Sequence, residues 1–266
     1  MVQNSKKIKI RKPLKVFYDV QKALFLRELN MRFSTGRTGL FWTFMEPFIQ
    51  IAVFVAIKMA LFGSGNENFD FAVFLAINFT FFNLFKNIVQ KSVNAFKANK
   101  ALFVYKQIKP IDTIIARGIV EIFITMIIVI IFIIIGYYFN FDLSVKDFNK
   151  VFLGVVLLIL FSYAFGILIA VGNVFMQSIG KLVGFLMTGL MFGSAVFYTL
   201  EALPKTARDL LLINPLTHIM EAIHGNYFLA LSDEYVDYNY IIFWILILFY
   251  LGLWLYIKLE KRIISQ

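Results

Sequence analysis

The sequence predicts an all-α membrane protein: six transmembrane helices, an N-terminal interfacial amphipathic helix, and an outer re-entrant helical segment between spans five and six. Three observations predict it. The 266 residues are 60% hydrophobic and 16% charged, with a mean hydropathy of +0.78, whereas a soluble domain is about half apolar and about a quarter charged. A chain of this size leaves too much surface outside any single core to hide that excess, so lipid is the solvent for much of it. Apolar runs of bilayer-crossing length, about 20 residues, recur along the chain. Basic residues gather in alternate connections between those runs.

The first 41 residues read as a cytoplasmic arm, basic and polar, without the apolar core and small-residue cleavage site of a signal peptide. Within it Leu14–Phe33 has helical periodicity. Val16, Val20 and Leu24, with Phe17 and Leu26, face one way, while Lys15, Asp19, Lys22 and Arg27 lie elsewhere. A basic helix of this kind lies in the headgroup layer; a solvated arm is the plainer alternative.

The six spans run roughly Trp42–Phe62, Phe71–Val89, Ile111–Phe139, Val151–Phe175, Leu182–Tyr198 and Tyr240–Ile257. They form a transmembrane unit over 42–257, with a short tail at 258–266. Charge orients them. The arm carries Lys6, Lys7, Lys9, Arg11, Lys12, Lys15, Lys22, Arg27, Arg32 and Arg37 against Asp19 and Glu28. The segment joining spans two and three adds Lys86, Lys91, Lys97, Lys100, Lys106 and Lys109 with no acid, the next connection Lys181, and the tail Lys258, Lys261 and Arg262. The opposite connections hold Lys146, Lys150, Lys205 and Arg208 among Glu67, Asp70, Asp142, Asp147, Glu201, Asp209, Glu221, Asp233, Glu234 and Asp237. Lys/Arg excess marks the cytoplasmic side, which puts both termini inside. The formal charge of +10 is therefore an orientation signal. It lies along one membrane face without a folded soluble module, which argues against nucleic-acid binding.

Two connections exceed simple turns. The inner one, about 91–103, holds the polar helical stretch Ser92–Lys100 with Val93 and Phe96 as an apolar edge. The outer one, Thr199–Asn239, contains the half-apolar run Ala207–Ile213, a break at Asn214-Pro215, and a second helical stretch, Leu216–Leu231. That piece is too polar to span and too apolar for a free loop. It is expected to fold partly back into the membrane, where protein or water must satisfy its backbone.

Four stretches carry a resemblance over nearly the whole chain: Arg32-Phe-Ser-Thr-Gly-Arg-Thr-Gly-Leu-Phe-Trp-Thr-Phe-Met-Glu-Pro47, Lys109-Pro-Ile-Asp-Thr-Ile-Ile-Ala-Arg-Gly-Ile-Val-Glu121, Phe192-Gly-Ser-Ala-Val-Phe-Tyr198, and Leu211-Leu-Ile-Asn-Pro-Leu-Thr-His-Ile-Met-Glu221. In this order, on six spans, they resemble the membrane subunit of ABC-2 type exporters, and within that group the capsular-polysaccharide export permeases of the bacterial inner membrane. The resemblance implies a homodimer, each copy bound by a separate ATP-binding cassette subunit that holds ATP and Mg. It also implies lipid-linked polysaccharide as cargo, and a periplasmic polysaccharide co-polymerase and an outer-membrane export protein as partners. The chain has no G-x-x-x-x-G-K-[ST] phosphate loop, so it is expected to be a transporter subunit and not an enzyme, with no cofactor of its own. The segment between spans two and three corresponds to the family's coupling helix. That makes Val93 and Phe96 the knobs, with Lys97 and Lys100 around them, for a cleft of the ATPase; anionic lipid could hold the same helix instead.

Individual residues leave alternatives. Arg117 and Glu121 share a helix face four residues apart; charges at that depth are expensive and usually paired, as a structural ion pair or as a link in ATPase coupling. Glu46, beside Pro47, caps a bend or pairs with Arg37. Lys58 snorkels outward or faces the polysaccharide path. His218, Glu221 and His224 form one stripe; zinc is conceivable from that spacing, but no metal is assigned. Asn214, Pro215, His218 and Glu221 are instead given a gating role at 199–231, with His224 standing where a longer base is expected. Aromatic residues in membrane proteins are mostly core or interfacial belt. Among them Phe33, Trp42, Phe192, Phe197 and Tyr198 sit where the resembling motifs place the two mouths of a conduit. Arg27, Arg32 and Arg37 at the inner mouth suit the phosphate of a lipid-linked glycan. Export of another glycan (O-antigen or teichoic acid) or of a small molecule is the nearest rival. A membrane glycosyl- or phosphotransferase would need clustered acids or histidines at one face, and a channel a filter-like loop.

Overall fold

A computed structural model of the chain describes the backbone of residues 13–34, 37–62, 69–176 and 178–265; the side chains of 33, 34, 37–40, 43, 61, 62 and 265 lie outside that description. The helices are α1 (Pro13–Ser34), α2 (Arg37–Phe62), α3 (Phe71–Val93), α4 (Ala95–Ala98), α5 (Pro110–Tyr138), α6 (Phe148–Phe175), α7 (Ile179–Phe192), α8 (Lys205–Leu211), α9 (Pro215–Tyr227) and α10 (Tyr238–Ser265), with 3-10 turns at Lys100–Val104 and Leu200–Ala202. Among the described residues there is no strand, as a bilayer solvent requires of any open structure.

Helix starts follow local chemistry. Pro110 occupies the first turn of α5, where its missing N–H costs nothing, and Asp112 Oδ2 accepts the Lys109 N–H at 2.8 Å. Asn214 Oδ1 accepts the Leu216 N–H at 3.0 Å, with Pro215 next to it, and so begins α9. Asp147 does the same for α6 through the Lys150 N–H at 3.2 Å.

Among the described residues four helices are long and apolar enough to cross a membrane: α3, α5, α6 and α10. The sixth expected span is longer than its apolar run, because α10 continues through the 258–265 tail as helix. The fifth is shorter. Its helix α7 has 14 residues, about 21 Å at 1.5 Å per residue, against a hydrocarbon core of about 30 Å. The expected run to Tyr198 stops at Phe192 because Gly193–Tyr198 turns, with Ala195 at φ 54°.

The core sits on α3, whose Phe74, Phe79, Phe82 and Phe85 are fully buried. It packs against α2, α5, α6, α7 and α9, while α6 packs against α9 and α10. A second cluster, Phe96, Phe103, Ile114, Val171, Tyr256 and Ile263, closes the end where α3 stops and α5 starts. That end is called basic below. Gly118 lets α5 and α6 approach: a Cβ there would lie 2.3 Å from the Tyr163 hydroxyl. On α1, Val20 and Leu24 are buried as expected, but Phe17 and Leu26 are exposed.

Candidate functional site

At the basic end, α1 lies along α5, and the two helices exchange charges. Arg117 Nε of α5 stands 2.9 Å from Glu28 Oε1 of α1, and Glu121 of α5 binds Arg32 of α1. The expected pairing of Arg117 with Glu121 along one helix is thus replaced by two crossed pairs between helices, since α1 brings charges closer than the next turn of α5 does. Arg117 Nη1 also donates to the Lys91 carbonyl at 2.7 Å, which ties the end of α3 into the same lattice. Arg27 donates to Asn99 beyond α4, and Gln21 Nε2 to the Asp112 carbonyl at 3.4 Å. Burial pulls the Arg32 guanidinium below its ordinary value; Glu28 opposes this and Arg117 adds to it. Of the residues expected at the inner mouth, Arg27 and Arg32 belong to this lattice. The side chains of Phe33 and Arg37 lie outside the described residues. Trp42 is exposed and edge-on to Phe41, with ring centroids 6.1 Å apart.

Beside the lattice, between α1, α2, α3 and α5, is a cavity of about 270 Å³ lined by Arg32, Glu46, Thr80, Asn83, Asn87, Lys91 and Thr125, with Pro47, Ile124 and Ile128 as its apolar part. Glu46 Oε1 lies 3.2 Å from Lys86 Nζ. Asn83 Nδ2 donates to Gln50 Oε1 at 2.9 Å. Sequence reasoning missed this site. The signal was there: Thr80, Asn83, Asn87 and Lys91 follow spacings of three, four and four, one polar stripe on a phenylalanine-rich helix.

The segment after α3 corrects an expectation. Val93 and Phe96 are buried, Phe96 against Tyr256 at 6.3 Å between ring centroids, so neither is a free knob. Lys97 and Lys100 are exposed as expected. The apolar side chains presented outward are Val104, 83% exposed, and Tyr105, 63% exposed.

Toward the opposite end, Phe192, Phe197 and Tyr198 come together. Phe192 stacks on Phe197 at 5.2 Å, Phe197 meets Phe54 at 4.5 Å and Phe79 at 5.4 Å, and the Tyr198 hydroxyl donates to the Phe192 carbonyl at 2.6 Å. Asn214 Nδ2 donates to the Gly193 carbonyl at 2.9 Å, and Thr217 Oγ1 to the same oxygen at 2.8 Å. Nearly all of α9 is buried. The expected stripe divides in two. His224 binds Glu221 Oε2 at 2.8 Å and Asn78 Oδ1 at 3.0 Å. His218 turns to the Leu212 carbonyl at 2.8 Å and the Tyr235 carbonyl at 3.1 Å. Lys58 sits 3.5 Å above the Phe71 ring. Among the described residues no group of three or more His, Asp or Glu is placed to hold a metal ion.

A helical bundle with several apolar helices of bilayer-crossing length and a basic end defines a membrane-embedded protein. Residues 21–228 match the ABC-2 type transporter family, and the chain belongs to it. The chain is 31% identical over 253 residues to the polysialic acid transport protein KpsM of Escherichia coli, covering 94% of this chain and 98% of that one. It is 24% identical over 244 residues, 92% of each, to the capsule polysaccharide export inner-membrane protein CtrC of Neisseria meningitidis serogroup B. With the capsule polysaccharide export inner-membrane protein BexB of Haemophilus influenzae it shares 23% over 238 residues, 90% of this chain and 89% of that one.

Proposed function

We propose that this chain is the permease subunit of an ABC exporter that moves lipid-linked capsular polysaccharide outward across the bacterial inner membrane. The observation that carries the reading is family membership joined to similarity along nearly the whole chain with a polysialic acid transport protein and two capsule polysaccharide export inner-membrane proteins. The permease works as a homodimer; six spans per copy with both termini in the cytoplasm are supported by the positive-inside asymmetry. A separate ATPase dimer supplies ATP and Mg chemistry; this chain carries no phosphate loop. A periplasmic co-polymerase and an outer-membrane export protein receive the polymer.

In the mechanism the ATPase docks on the segment after α3. Exposed Val104 and Tyr105, among Lys97, Lys100 and Lys106, favour an apolar cleft with an acidic rim. Movement there reaches α5 and α1 through Arg117, which holds the Lys91 carbonyl and Glu28 together. The α7–α9 region is the outer gate. Its aromatic stack meets α2 at Phe54 and α3 at Phe79, each eight residues inside the outer end of its helix, about 12 Å deep at 1.5 Å per residue. That depth supports a re-entrant turn.

Reconstitution with the cognate ATPase tests the reading. Lipid-linked acidic glycans are expected to stimulate ATP hydrolysis and to appear on the far side of the vesicle. A flat ATPase rate across a range of lipid-linked glycans would sink it.

A further inference from the structure

The cleft between α1, α2, α3 and α5 touches the coupling route just described only at Lys91, whose backbone carbonyl Arg117 holds, and its polar side-chain lining is not used there. Its lining is unusual for a membrane helix: Thr80, Asn83 and Asn87 project from one face of α3 and Thr125 comes from α5. Polar groups at membrane depth persist where they meet protein partners, water or a ligand. Thr80 is 4% exposed and lines the cavity, and its buried Oγ1 has no hydrogen-bond partner among the described residues, so a turn of the side chain would bring an unsatisfied hydroxyl to a ligand there. A buried hydroxyl left this way is a standing cost that a ligand hydroxyl would remove.

The charges at the basic rim point the same way. Glu121 is taken by Arg32, Glu28 by Arg117, and Glu46 by Lys86. Arg32 and Arg117 act on Lys91 as like charges and Glu28 and Glu46 as opposite ones, but among the described residues no carboxylate lies within ion-pair distance of it, those two acids being held by Arg117 and Lys86. An anion at that rim would meet Lys91 and the outer edge of Arg32. The cavity of about 270 Å³ is at the small end of ligand pockets, roughly 300–1,000 Å³, room for one sugar ring. Pro47, Ile124 and Ile128 offer an apolar wall to the C–H face of such a ring.

We propose that this cleft binds one acid-bearing sugar unit of the exported glycan, Thr80, Asn83, Asn87 and Thr125 taking its hydroxyls and Lys91 with Arg32 its carboxylate or phosphate. The proposal rests on the export reading and adds a subsite within a single permease copy. A line of four neutral hydrogen-bonding side chains favours a polyol over a phospholipid headgroup, which offers few hydroxyls to fill it. The neutral stripe would hold the ring loosely while the rim cations select for acidity.

The sequence contains no cysteine, so Ile128→Cys places a single thiol on the apolar wall of the cleft and leaves the proposed hydrogen-bonding groups in place. The permease–ATPase complex carrying it is placed in nanodiscs and labelled with a maleimide, alone or with one of three probes: a sialic acid trimer, a glucose trimer of equal length, and phosphatidylglycerol added to the disc lipid. At a probe concentration four times its Kd, the acidic trimer is expected to slow labelling about fivefold, and the glucose trimer to leave it unchanged. Lys91→Gln on the same background is expected to weaken binding about tenfold, the effect of one charged hydrogen bond, so that at the same probe concentration the slowing falls from about fivefold to about 1.4-fold. Thr80→Val should weaken binding too, with thermal unfolding confirming that each variant is folded. Equal protection by both trimers, protection by phosphatidylglycerol alone, or full protection in the Lys91→Gln variant would overturn the proposal. ATP hydrolysis in the same complex is read in parallel. Stimulation by lipid-linked glycan without protection overturns the cleft and leaves the export reading standing, whereas absent stimulation with every glycan overturns that reading.

Discussion

Charges buried in a membrane protein hold their partners closely, and the crossed pairs show how closely. Glu121 has a side chain 3% exposed and Arg32 one 21% exposed. Removing one member of such a pair strands the other in a low-dielectric site, which costs about 3–5 kcal/mol. Glu121→Ala is therefore expected to destabilise the purified permease by that amount, and Glu121→Gln by less, because the amide still accepts a hydrogen bond from Arg32. Exchanging the two residues, Arg32→Glu with Glu121→Arg, should recover part of the loss. Chemical unfolding in detergent measures all three. If Glu121→Ala unfolds like the parent protein, the pair does not fasten α1 to α5. The i, i+4 spacing of Arg117 and Glu121 was legible as a shared face. What it could not reveal was that a helix some 90 positions earlier would supply a better partner for each: side-chain spacing constrains neighbours on one helix and says nothing of those across the bundle.

At the scale of elements, α4 and the turn after it carry the sharpest difference between pattern and structure. Phe96 and Val93 form an apolar edge in the sequence, and an apolar edge on a polar loop reads equally as a docking knob or as an anchor. The second cluster decides: Phe96 is 4% exposed and packs on Tyr256 of α10, so it anchors the loop to the bundle, and the knobs shift to Val104 and Tyr105. Phe96→Ala is expected to destabilise the fold by about 3–5 kcal/mol, the usual result of emptying a buried phenylalanine site. Tyr105→Ala should leave the unfolding midpoint unchanged and weaken ATPase binding by about 1–2 kcal/mol, five- to thirtyfold in a co-purification or surface-binding assay. The reverse result, a stable Phe96→Ala variant that no longer binds the ATPase, would restore Phe96 as the knob. The long helices were far easier to read. Spans at α3, α5, α6 and α10 follow from apolar length alone, because lipid leaves the backbone no other choice. Helix α7 was overrun in the expectation since Phe192–Tyr198 is as apolar as the helix before it; a glycine and the left-handed Ala195 end it, and hydropathy registers neither.

For the whole molecule the open question is how a 14-residue helix fits a chain whose charges alternate cleanly from one connection to the next. In the proposed six-span arrangement α6 returns the chain to the basic side and α7 leads it outward again, since Lys205, Arg208, Asp209, Asp233, Glu234 and Asp237 fall in the acid-rich class of connections. Packing is consistent with that path: Lys150 of α6 binds Asp233 at 2.7 Å, and the Lys146 backbone N–H reaches the Tyr227 carbonyl at 3.0 Å. The connection after α9 therefore shares an end with the one between α5 and α6. A helix of about 21 Å reaches that end only if the turn at Gly193 lies below the surface and α8 and α9 complete the crossing as a protein-lined unit. The cysteine-free sequence makes this testable residue by residue. Lys106→Cys, Lys205→Cys and Asp142→Cys each place one thiol on an exposed position. In intact cells a membrane-impermeant maleimide is expected to label Lys205→Cys and Asp142→Cys and to spare Lys106→Cys, with the order reversed in inside-out vesicles. If Lys205→Cys labels together with Lys106→Cys, then α7 doubles back to the basic side, and the six-span arrangement with its outer gate is wrong.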